Sequence, residues 1–531
     1  MTESTIQAKA EPAHAQHAAL TDAERTLLRE HATRTARSCA WLSPGHRSPR
    51  PMQMFRKSIR RLARLEHELY HLRSGEPSDD LKVLYDSFRL IRTDIQDLHD
   101  GTKFLTKLPA VRTPTDESIP RAIVIARALL VATKDRLSEG EFLFFLDAVQ
   151  QIEPLRLAEL GGMLPALKLV LLERIADAGF KALEAFRRHG AEGASYDLAR
   201  IIASLRLIGE IDWKEHLEQL SLVHRTLNGD PAGVYPRMEF ESREAYRQQI
   251  ERIAAHADIG EIELARRAVQ MATDAEIPAS APEALRTRLR HAGYYLLDDA
   301  GSQELLHQAG YRPWFGASVQ HLLRKYPDEI YIIGIEFVTL MTVVLLLMSL
   351  VPTHGGWGLI FSSLLLVIPA TQAAVELMNY LATAILSPRP LPKVDFSQGV
   401  DASCATMVAI PTLLLNDRQI RDLVADLEVR YLVNRDANIF YALLTDLPDT
   451  AEPAGDEDHR VDLARRLIED LNEKYASEPY GGFYLFHRHR IYNPREGAWM
   501  GWERKRGKLL DLNKLLRKVY DPFPVKAGDL S

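Results

Sequence analysis

Residues 330–351 read IYIIGIEFVTLMTVVLLLMSLV, a run of 22 residues with one acidic side chain, Glu336. A helix that crosses a membrane needs about 20 mostly apolar residues, so this run predicts a transmembrane helix. A second apolar run, LIFSSLLLVIPATQAA at 359–374, follows after the short turn 352–358. Two spans joined by so short a turn form a transmembrane hairpin, residues 329–378, with both outer flanks on one side of the membrane.

The charges beside the hairpin predict its orientation. Arg324 and Lys325 precede the first span and Arg389 and Lys393 follow the second, whereas the turn has neither Lys nor Arg. Because Lys and Arg accumulate in cytoplasmic loops, we expect both soluble parts and both termini to be cytoplasmic. Glu336 lies near the cytoplasmic end of its span, where it either reaches toward the headgroups or lines a polar path.

The segment before the hairpin predicts a helical domain. Residues 1–50 are rich in charge, and the stretch 43–51 at their end contains three prolines and a glycine, which indicates a disordered tail and linker over 1–50. Over 51–310 apolar residues recur at helical spacing, as at Phe88, Ile91 and Ile95, without strand alternation. We therefore predict an all-α cytoplasmic domain. The N-terminus also lacks the apolar core of a secretory signal.

The pattern changes after the hairpin. A proline-rich linker at 379–404 precedes apolar runs that predict strands at 405–411, 438–444 and 482–486, alternating with helices at 417–429 and 463–475. Alternating strands and helices are typical of a parallel α/β sheet, so 405–520 is predicted to be a partial α/β domain, followed by a tail at 521–531.

Composition narrows the possible partners. The 531-residue chain has a formal net charge of -6, which gives no overall basic field and argues against nucleic-acid binding. Its two cysteines, Cys39 and Cys404, follow no metal-binding or redox spacing and are interpreted as inert thiols in a reducing compartment.

Two candidate binding residues stand where predicted strands end. Thr412 follows the first strand and Asp446 the second. Ligands of open parallel sheets bind outside the carboxyl ends of the strands, where an acidic side chain can hydrogen-bond a ribose hydroxyl or a base edge. The alternative is structural, because Asp also caps helices and starts turns.

A dense basic segment at 502–508 supplies two further candidates. It reads WERKRGK, with Lys505 and Gly507 placed just before a predicted helix. Cations and helix N-terminal N–H groups suit a diphosphate. The alternatives are a solvated basic helix or an RNA-binding tract.

Two short motifs suggest metal sites but have simpler explanations. The acidic run 456–458 reads DED, and its place before a predicted helix indicates a cluster of helix-start charges. Residues 67–71 read HELYH and match the H-E-x-x-H zinc pattern, but no third ligand is identifiable in the sequence, so zinc is not expected.

Longer sequence segments resemble a known protein family. Residues 492–497 (YNPREG) and 499–509 (WMGWERKRGKL) closely resemble the transferase domain of cyclic β-1,2-glucan synthases, of the glycosyltransferase family 84 type. Earlier phrases, such as EPL at 153–155 and DPAGVY at 230–235, resemble the cytoplasmic and membrane regions of the same family. The resemblance runs in order from about residue 50 to residue 518.

The resemblance implies a multi-pass enzyme of the bacterial inner membrane whose GT-A type domain transfers glucose from UDP-glucose. Thr412 and Asp446 match positions near the uridine, and Lys505 with Gly507 resembles the Lys-x-Gly element near the diphosphate. No Asp-x-Asp follows the basic segment, and no later catalytic base or Gln-x-x-Arg-Trp is present. Mg²⁺ or Mn²⁺ is therefore expected only in the full-length family.

Three functions remain open. The first is the N-terminal portion of a membrane glucosyltransferase, carrying the N-terminal half of the transferase domain and inactive alone. The second is a non-catalytic membrane scaffold that contacts lipid and pairs with a separate chain carrying the rest of the synthase. The third, a metalloprotease, requires stoichiometric zinc.

Overall fold

The computed structural model describes residues 20–38, 40–41, 48–71, 78–112, 118–189, 196–278, 280–350, 356–386, 388, 391–452 and 458–529. The chain divides into two compact units, residues 1–393 and 394–531. The predicted turn of the hairpin falls largely outside the described residues, as do Cys39, Arg389 and the first two residues of the acidic run 456–458.

The first unit is mostly helical, as predicted. Before the hairpin its helices are α1 (Asp22–Ser38), α2 (Arg50–Tyr70), α3 (Asp79–Leu105), α4 (Arg121–Ala132), α5 (Glu139–Gln150), α6 (Leu157–Gly161), α7 (Met163–His189), α8 (Leu198–Glu210), α9 (Trp213–Leu220), α10 (Leu222–Leu227), α11 (Phe240–Ala254), α12 (Glu261–Thr273), α13 (Glu283–Leu289), α14 (Ala292–Leu297) and α15 (Ser302–Gln308). Phe88 and Ile91 are buried on α3, as their spacing predicts, and Ile95 packs against the same core.

Two predictions for this unit are wrong in detail. Residues 22–38 form α1, which packs against α4 and α5 and buries Leu28 and Ala32, although the sequence predicts a disordered tail there. The domain is also not purely helical. Strands β1 (Ala40–Trp41), β2 (Ala110–Arg112) and β3 (Ser118–Pro120) form a small antiparallel sheet in the order β1-β2-β3.

The predicted apolar runs form two long helices. After α16 (Phe315–Lys325) come α17 (Pro327–Leu350) and α18 (Gly356–Ile385), which pack together. Pro327–Met348 and Gly356–Ile385 have mean hydropathies of 2.4 and 1.8, so each is long and apolar enough to cross a membrane. The helices pack closely because Gly334 leaves room for Met378, and Tyr331 donates a hydrogen bond to Asn379 (2.8 Å).

The chain returns to the helical domain after α18. The Lys393 N–H donates to the Ser242 hydroxyl (2.9 Å), and the Lys393 carbonyl accepts from the Glu239 N–H (3.1 Å). The residues after α18 therefore rejoin the helical body that precedes α17, as a hairpin requires. The cytoplasmic location of that body remains a prediction.

The second unit is a mixed α/β fold. Its strands are β4 (Thr406–Leu413), β5 (Ile439–Asp446), β6 (Phe483–His487), β7 (Ile491–Asn493), β8 (Ala498–Met500) and β9 (Val525–Ala527), and its helices are α19 (Asp417–Val433), α20 (His459–Lys474) and α21 (Arg504–Leu516). The main sheet has the order β4-β5-β6-β9, in which β4, β5 and β6 are parallel. Strand β9 pairs antiparallel with β6, so the prediction of a wholly parallel sheet is wrong. Strands β7 and β8 form a separate antiparallel hairpin.

Both faces of the main sheet are covered. Side chains of α19 and α20 pack on one face in a core that includes Val424, Leu427 and Ile468. Leu512 of α21 packs on the other face with Phe486. This layering places the first turns of α21 beside the carboxyl ends of β4 and β5, where the candidate residues lie.

Candidate functional site

Thr412 and Asp446 lie beside each other at the carboxyl ends of β4 and β5. Leu413 is the register partner of Asp446, and Thr412 is the partner of Thr445. Both strands run two residues further than the sequence predicts, so the two candidates belong to the strands and not to the following loops. Their convergence at one sheet edge follows from the parallel pairing.

Asp446 is a buried anchor for two cations. Its side chain is 2% exposed, and both its oxygens accept hydrogen bonds from the Arg488 guanidinium, Nε to Oδ1 and Nη2 to Oδ2, each at 2.9 Å. The Lys508 ammonium lies 2.9 Å from Oδ2. Arg488 and Lys508 are themselves only 3% and 4% exposed. A bidentate arginine pair fixes the direction of the carboxylate as well as neutralising it.

Asp511 completes a neutral buried quartet. Its Oδ2 accepts from Arg488 Nη1 at 3.0 Å, so two carboxylates face two cations. The Lys508 ammonium also donates to the Thr412 carbonyl oxygen at 2.7 Å, which ties α21 to the end of β4. We call Asp446, Arg488, Lys508 and Asp511 the buried ion cluster.

The buried ion cluster shifts the ionisation of its two cations in opposite directions. Burial lowers the pKa of Lys508, although the hydrogen bond to Asp446 opposes the shift. Burial also acts to lower the pKa of Arg488, but hydrogen bonds and charge from Asp446 and Asp511 outweigh it, and the pKa is raised. Arg488 remains a cation at neutral pH because its pKa is raised further above an ordinary value that is already far above neutrality.

Lys505 and Gly507 lie in the first turns of α21, which begins at Arg504. The sequence places them before the helix, so the predicted helix start is too late. Gly507 is buried, and a Cβ there would overlap the carbonyl oxygen of Trp502, which excludes any larger residue. Lys505 is exposed, and it makes no ion pair with any described residue. It is therefore a cation available to a ligand.

The neighbouring cations of α21 are already paired. Arg504 contacts Asp449 at 3.0 Å, and Arg506 contacts Glu503 at 2.9 Å. Both pairs are exposed, where such contacts are worth about 0–1 kcal/mol and yield readily to a ligand. The exposed start of α21 thus combines one unpaired lysine with two loosely held arginines.

The β7–β8 hairpin closes over the same end of the sheet. Thr450, just after β5, exchanges two backbone hydrogen bonds with Trp499 of β8 (2.7 and 3.0 Å). Gly501 then passes so close to the cluster that a Cβ there would lie 2.7 Å from the Asp446 carboxyl group. A glycine is required here because the backbone must approach the buried carboxylate.

Sequence reasoning missed three members of this site. Arg488, Lys508 and Asp511 fix Asp446 in place, yet none of them was a candidate. Arg488 follows directly after the buried strand β6, which is the same position that singled out Thr412 and Asp446. Lys508 lies within the basic segment, one residue beyond Gly507. The sequence shows where Arg488 and Lys508 stand, but it does not show that they pair with Asp446, which lies 42 and 62 residues before them.

The short metal-like motifs have structural roles where they are described. Asp458 caps α20 by accepting from the Arg460 N–H, and its hydrogen bonds to Arg460 lower its pKa to about 2. Glu68 pairs with Arg64 (2.6 Å) and Arg187 (2.9 Å). Across the described part of the chain, no three His, Cys, Asp or Glu side chains are arranged as a metal-binding group.

Comparison with curated proteins yields a match to the cyclic β-(1,2)-glucan synthase NdvB of Rhizobium meliloti (strain 1021). The two sequences are 34% identical over 328 residues, which cover 60% of this chain. The chain is a relative of a cyclic β-(1,2)-glucan synthase. It spans about one tenth of the length of NdvB, since the match covers 11% of that protein. No family model matches the chain.

The relationship to NdvB confirms the resemblance drawn from the sequence phrases. Together with the two candidate spans, it supports association with a membrane. The roles of Thr412, Asp446, Lys505 and Gly507 in nucleotide binding remain predictions, as does the use of UDP-glucose.

Proposed function

We propose that this chain is a portion of a membrane glucosyltransferase of the cyclic β-1,2-glucan synthase type, and that its second unit binds the nucleotide of UDP-glucose. The observation that carries the proposal is the convergence of Thr412, Asp446 and the start of α21 at the carboxyl ends of β4 and β5. Ligands of such sheets bind in this position.

The residues divide into those that hold the site and those that contact the ligand. Asp446 is almost fully enclosed, and its oxygens already accept three hydrogen bonds. A carboxylate offers about four acceptor positions, so one position on Oδ1 is unused, but the carboxylate is enclosed. Its larger role in the proposal is to hold Lys508 and Arg488, which fix α21 and the end of β4.

Lys505 is the proposed contact to the diphosphate. Its ammonium is exposed on the first turn of α21, where the positive end of the helix dipole also attracts anions. Gly507 permits the close turn at Trp502 that brings this end of the helix to the sheet. Thr412, at the end of the neighbouring strand, is the proposed contact to the uridine.

We further propose that the chain alone does not transfer glucose. In the family that the chain resembles, a metal held by carboxylates neutralises the leaving diphosphate, and no Asp-x-Asp follows the basic segment 502–508 in this sequence. Such neutralisation lowers the barrier by several kcal/mol. The donor half-site would then act with carboxylates supplied from outside these 531 residues.

A second candidate function is a non-catalytic membrane scaffold. Strand β4 is the edge of the main sheet among the described residues, and the N–H groups of Met407 and Ala409 point away from β5. An open edge of this kind can accept a strand from another chain. Pro411 has no N–H to offer, which restricts such pairing to the first part of the strand.

A transfer assay with labelled UDP-glucose tests the proposal. The chain reconstituted in nanodiscs should incorporate no label into glucan, while membranes containing an active full-length cyclic glucan synthase serve as the positive control. Label incorporated by the purified chain would overturn the inactive-alone proposal.

Donor binding separates the two candidate functions. Binding of a fluorescent UDP analogue should weaken in Lys505→Ala and stay unchanged in Arg421→Ala, an exposed cation of α19 on the other face of the sheet. Absence of binding in all three proteins would favour the scaffold.

A further inference from the structure

Helix α16 stands immediately before the first candidate span. It runs from Phe315 to Lys325, and α17 begins two residues later at Pro327. Between them, Tyr326 leaves the helical conformation (φ -128°, ψ 60°), and the proline that follows cannot continue the hydrogen bonding of α16. The chain therefore changes direction where it enters α17.

A side-chain contact places α16 at the level where both spans end. The Gln320 amide donates to the carbonyl oxygen of Ile385, the last residue of α18, at 3.5 Å. One end of α16 adjoins the start of α17, and its middle contacts the end of α18. If α17 and α18 cross a membrane, as the proposed function requires, α16 lies at the membrane surface.

The two faces of α16 differ in character. Val319, Leu322, Leu323 and Tyr326 recur at intervals of three and four, so they form one apolar face. His321 and Arg324, three positions apart, lie on the opposite face.

The apolar face is only partly covered by the protein, because Val319 and Leu323 are half-buried while the other two side chains are exposed. Leu322 is 52% exposed and Tyr326 is 41% exposed, and Trp314, which precedes the helix, is 58% exposed. Three large apolar side chains grouped on one short segment are unusual on a surface that faces only water. Trp and Tyr prefer the boundary between headgroups and acyl chains, where the ring is shielded and the polar end stays hydrated.

Charge at the end of α16 indicates which lipids it contacts. Arg324 and Lys325 occupy its last turn, adjacent to the start of the span. A basic residue beside a membrane is attracted to anionic headgroups by about 1 kcal/mol. Long basic side chains also extend from an apolar face to reach the headgroups.

We propose that α16 is an interfacial helix that lies flat on the membrane, burying Leu322 and Tyr326 among the acyl chains and binding anionic phospholipid headgroups through Arg324 and Lys325. This inference rests on the proposed insertion of α17 and α18. Its function would be to hold the helical domain at a fixed height and orientation above the membrane.

Accessibility of spin labels in liposomes tests the position of α16. In the full chain, with Cys39 and Cys404 replaced by serine, single cysteines at Leu322, His321 and Leu340 are labelled. The Leu340 label, in the middle of α17, reports membrane insertion itself. We expect the labels at Leu322 and Leu340 to collide mainly with oxygen dissolved in the bilayer, and the label at His321 to collide mainly with an aqueous nickel complex.

The control position distinguishes the two possible failures. If Leu322 is as water-accessible as His321 while Leu340 remains in lipid, α16 is not interfacial, although the spans are inserted. If Leu340 is also water-accessible, the proposed membrane insertion is wrong and the inference fails with it.

Lipid-specific quenching tests the headgroup contact. A fluorophore at Leu322 should be quenched about twofold more by spin-labelled phosphatidylglycerol than by spin-labelled phosphatidylcholine, because anionic lipid accumulates beside the two basic residues. The preference should be lost in Arg324→Gln/Lys325→Gln and retained in Lys57→Gln, an exposed lysine of α2. Equal quenching by both lipids in the unmodified chain would overturn the anionic-lipid assignment.

Discussion

The buried ion cluster makes a quantitative prediction about Asp446 and Lys508. The unmodified cluster has two carboxylates and two cations and is electrically neutral. Asp446→Asn leaves one excess positive charge in a site where the remaining cations are 3% and 4% exposed. Lys508→Met leaves one excess negative charge. Removing one partner of a buried pair costs about 3–5 kcal/mol, so each single substitution should destabilise the second unit by that amount.

The double variant should lose less than the sum of the single variants. Asp446→Asn/Lys508→Met removes one charge of each sign and leaves the Arg488–Asp511 pair, with its 3.0 Å contact, electrically balanced. We expect a coupling of about 2–3 kcal/mol between the two positions.

Native-state hydrogen exchange is the suitable assay, because a chain with two units and a hairpin does not unfold in one step. The amides of Leu443 and Leu444 in β5 report the local stability of the second unit. Single-variant losses below about 1 kcal/mol, or strict additivity in the double variant, would show that the cluster is solvated and does not hold α21 against the sheet.

Three further predictions concern topology, packing and pH. A membrane-impermeant maleimide added outside the cell should label Trp357→Cys and leave Ala451→Cys unmodified, and the opposite pattern would contradict the predicted orientation. Gly507→Ala should destabilise the second unit by about 2 kcal/mol or more in hydrogen exchange, because its Cβ overlaps a backbone carbonyl oxygen, whereas Gly209→Ala, in an open helical position of α8, should stabilise by up to about 1 kcal/mol. Burial raises the pKa of Glu261 from 4.5 to about 7, because the enclosed side chain favours its neutral form. The folded state therefore has its full stability below pH 4.5, where Glu261 is protonated, and loses part of it as the pH rises through 7. Glu261→Gln should therefore stabilise the helical domain by about 1–2 kcal/mol at pH 8 and change its stability little at pH 4, as measured by native-state hydrogen exchange at the amides of α12; an equal effect at both pH values would refute the assignment.

The sequence predicts where the strands of the second unit lie, but it does not predict where they end. The apolar run at 438–444 predicts β5, yet the strand continues through Thr445 and Asp446. These two polar residues are buried because Thr445 pairs with His487 at 2.9 Å and Asp446 pairs with Arg488. Two polar residues in a row suggest a loop when the sequence is considered locally. In the structure, partners about 40 residues further along the chain allow the same residues to be buried in a strand.

Short elements escaped prediction for a different reason. Strands β2 and β3 contain three residues each, too few to show alternation. Helix α1 has few large apolar residues, so its sequence reads as a tail, but burial of Leu28 and Ala32 is enough to hold it against α4 and α5. Tertiary packing, and not intrinsic propensity, stabilises such a helix.

The candidate site was predicted in part. Thr412 and Asp446 could be predicted because the sequence shows where the strands end, and parallel strands bring their carboxyl ends together at one edge of the sheet. The start of α21 was misplaced because Glu503 and Arg504 adopt positive φ angles of 44° and 45°, a sharp turn that lets the helix begin inside the basic segment. Non-glycine residues rarely adopt such angles, so no sequence pattern indicated the turn.

Binding of UDP to the full chain is the direct test of a donor half-site in the second unit. Saturation-transfer NMR on the chain in nanodiscs, with and without Mg²⁺ or Mn²⁺, should detect weak binding that is nearly independent of metal and is reduced by Lys505→Ala. Loss of two or three charge-assisted hydrogen bonds of about 1.5–3 kcal/mol each moves an affinity from the micromolar toward the millimolar range. Tight, metal-dependent binding that Lys505→Ala leaves unchanged, or no binding under any condition, would contradict a donor half-site at the ends of β4 and β5.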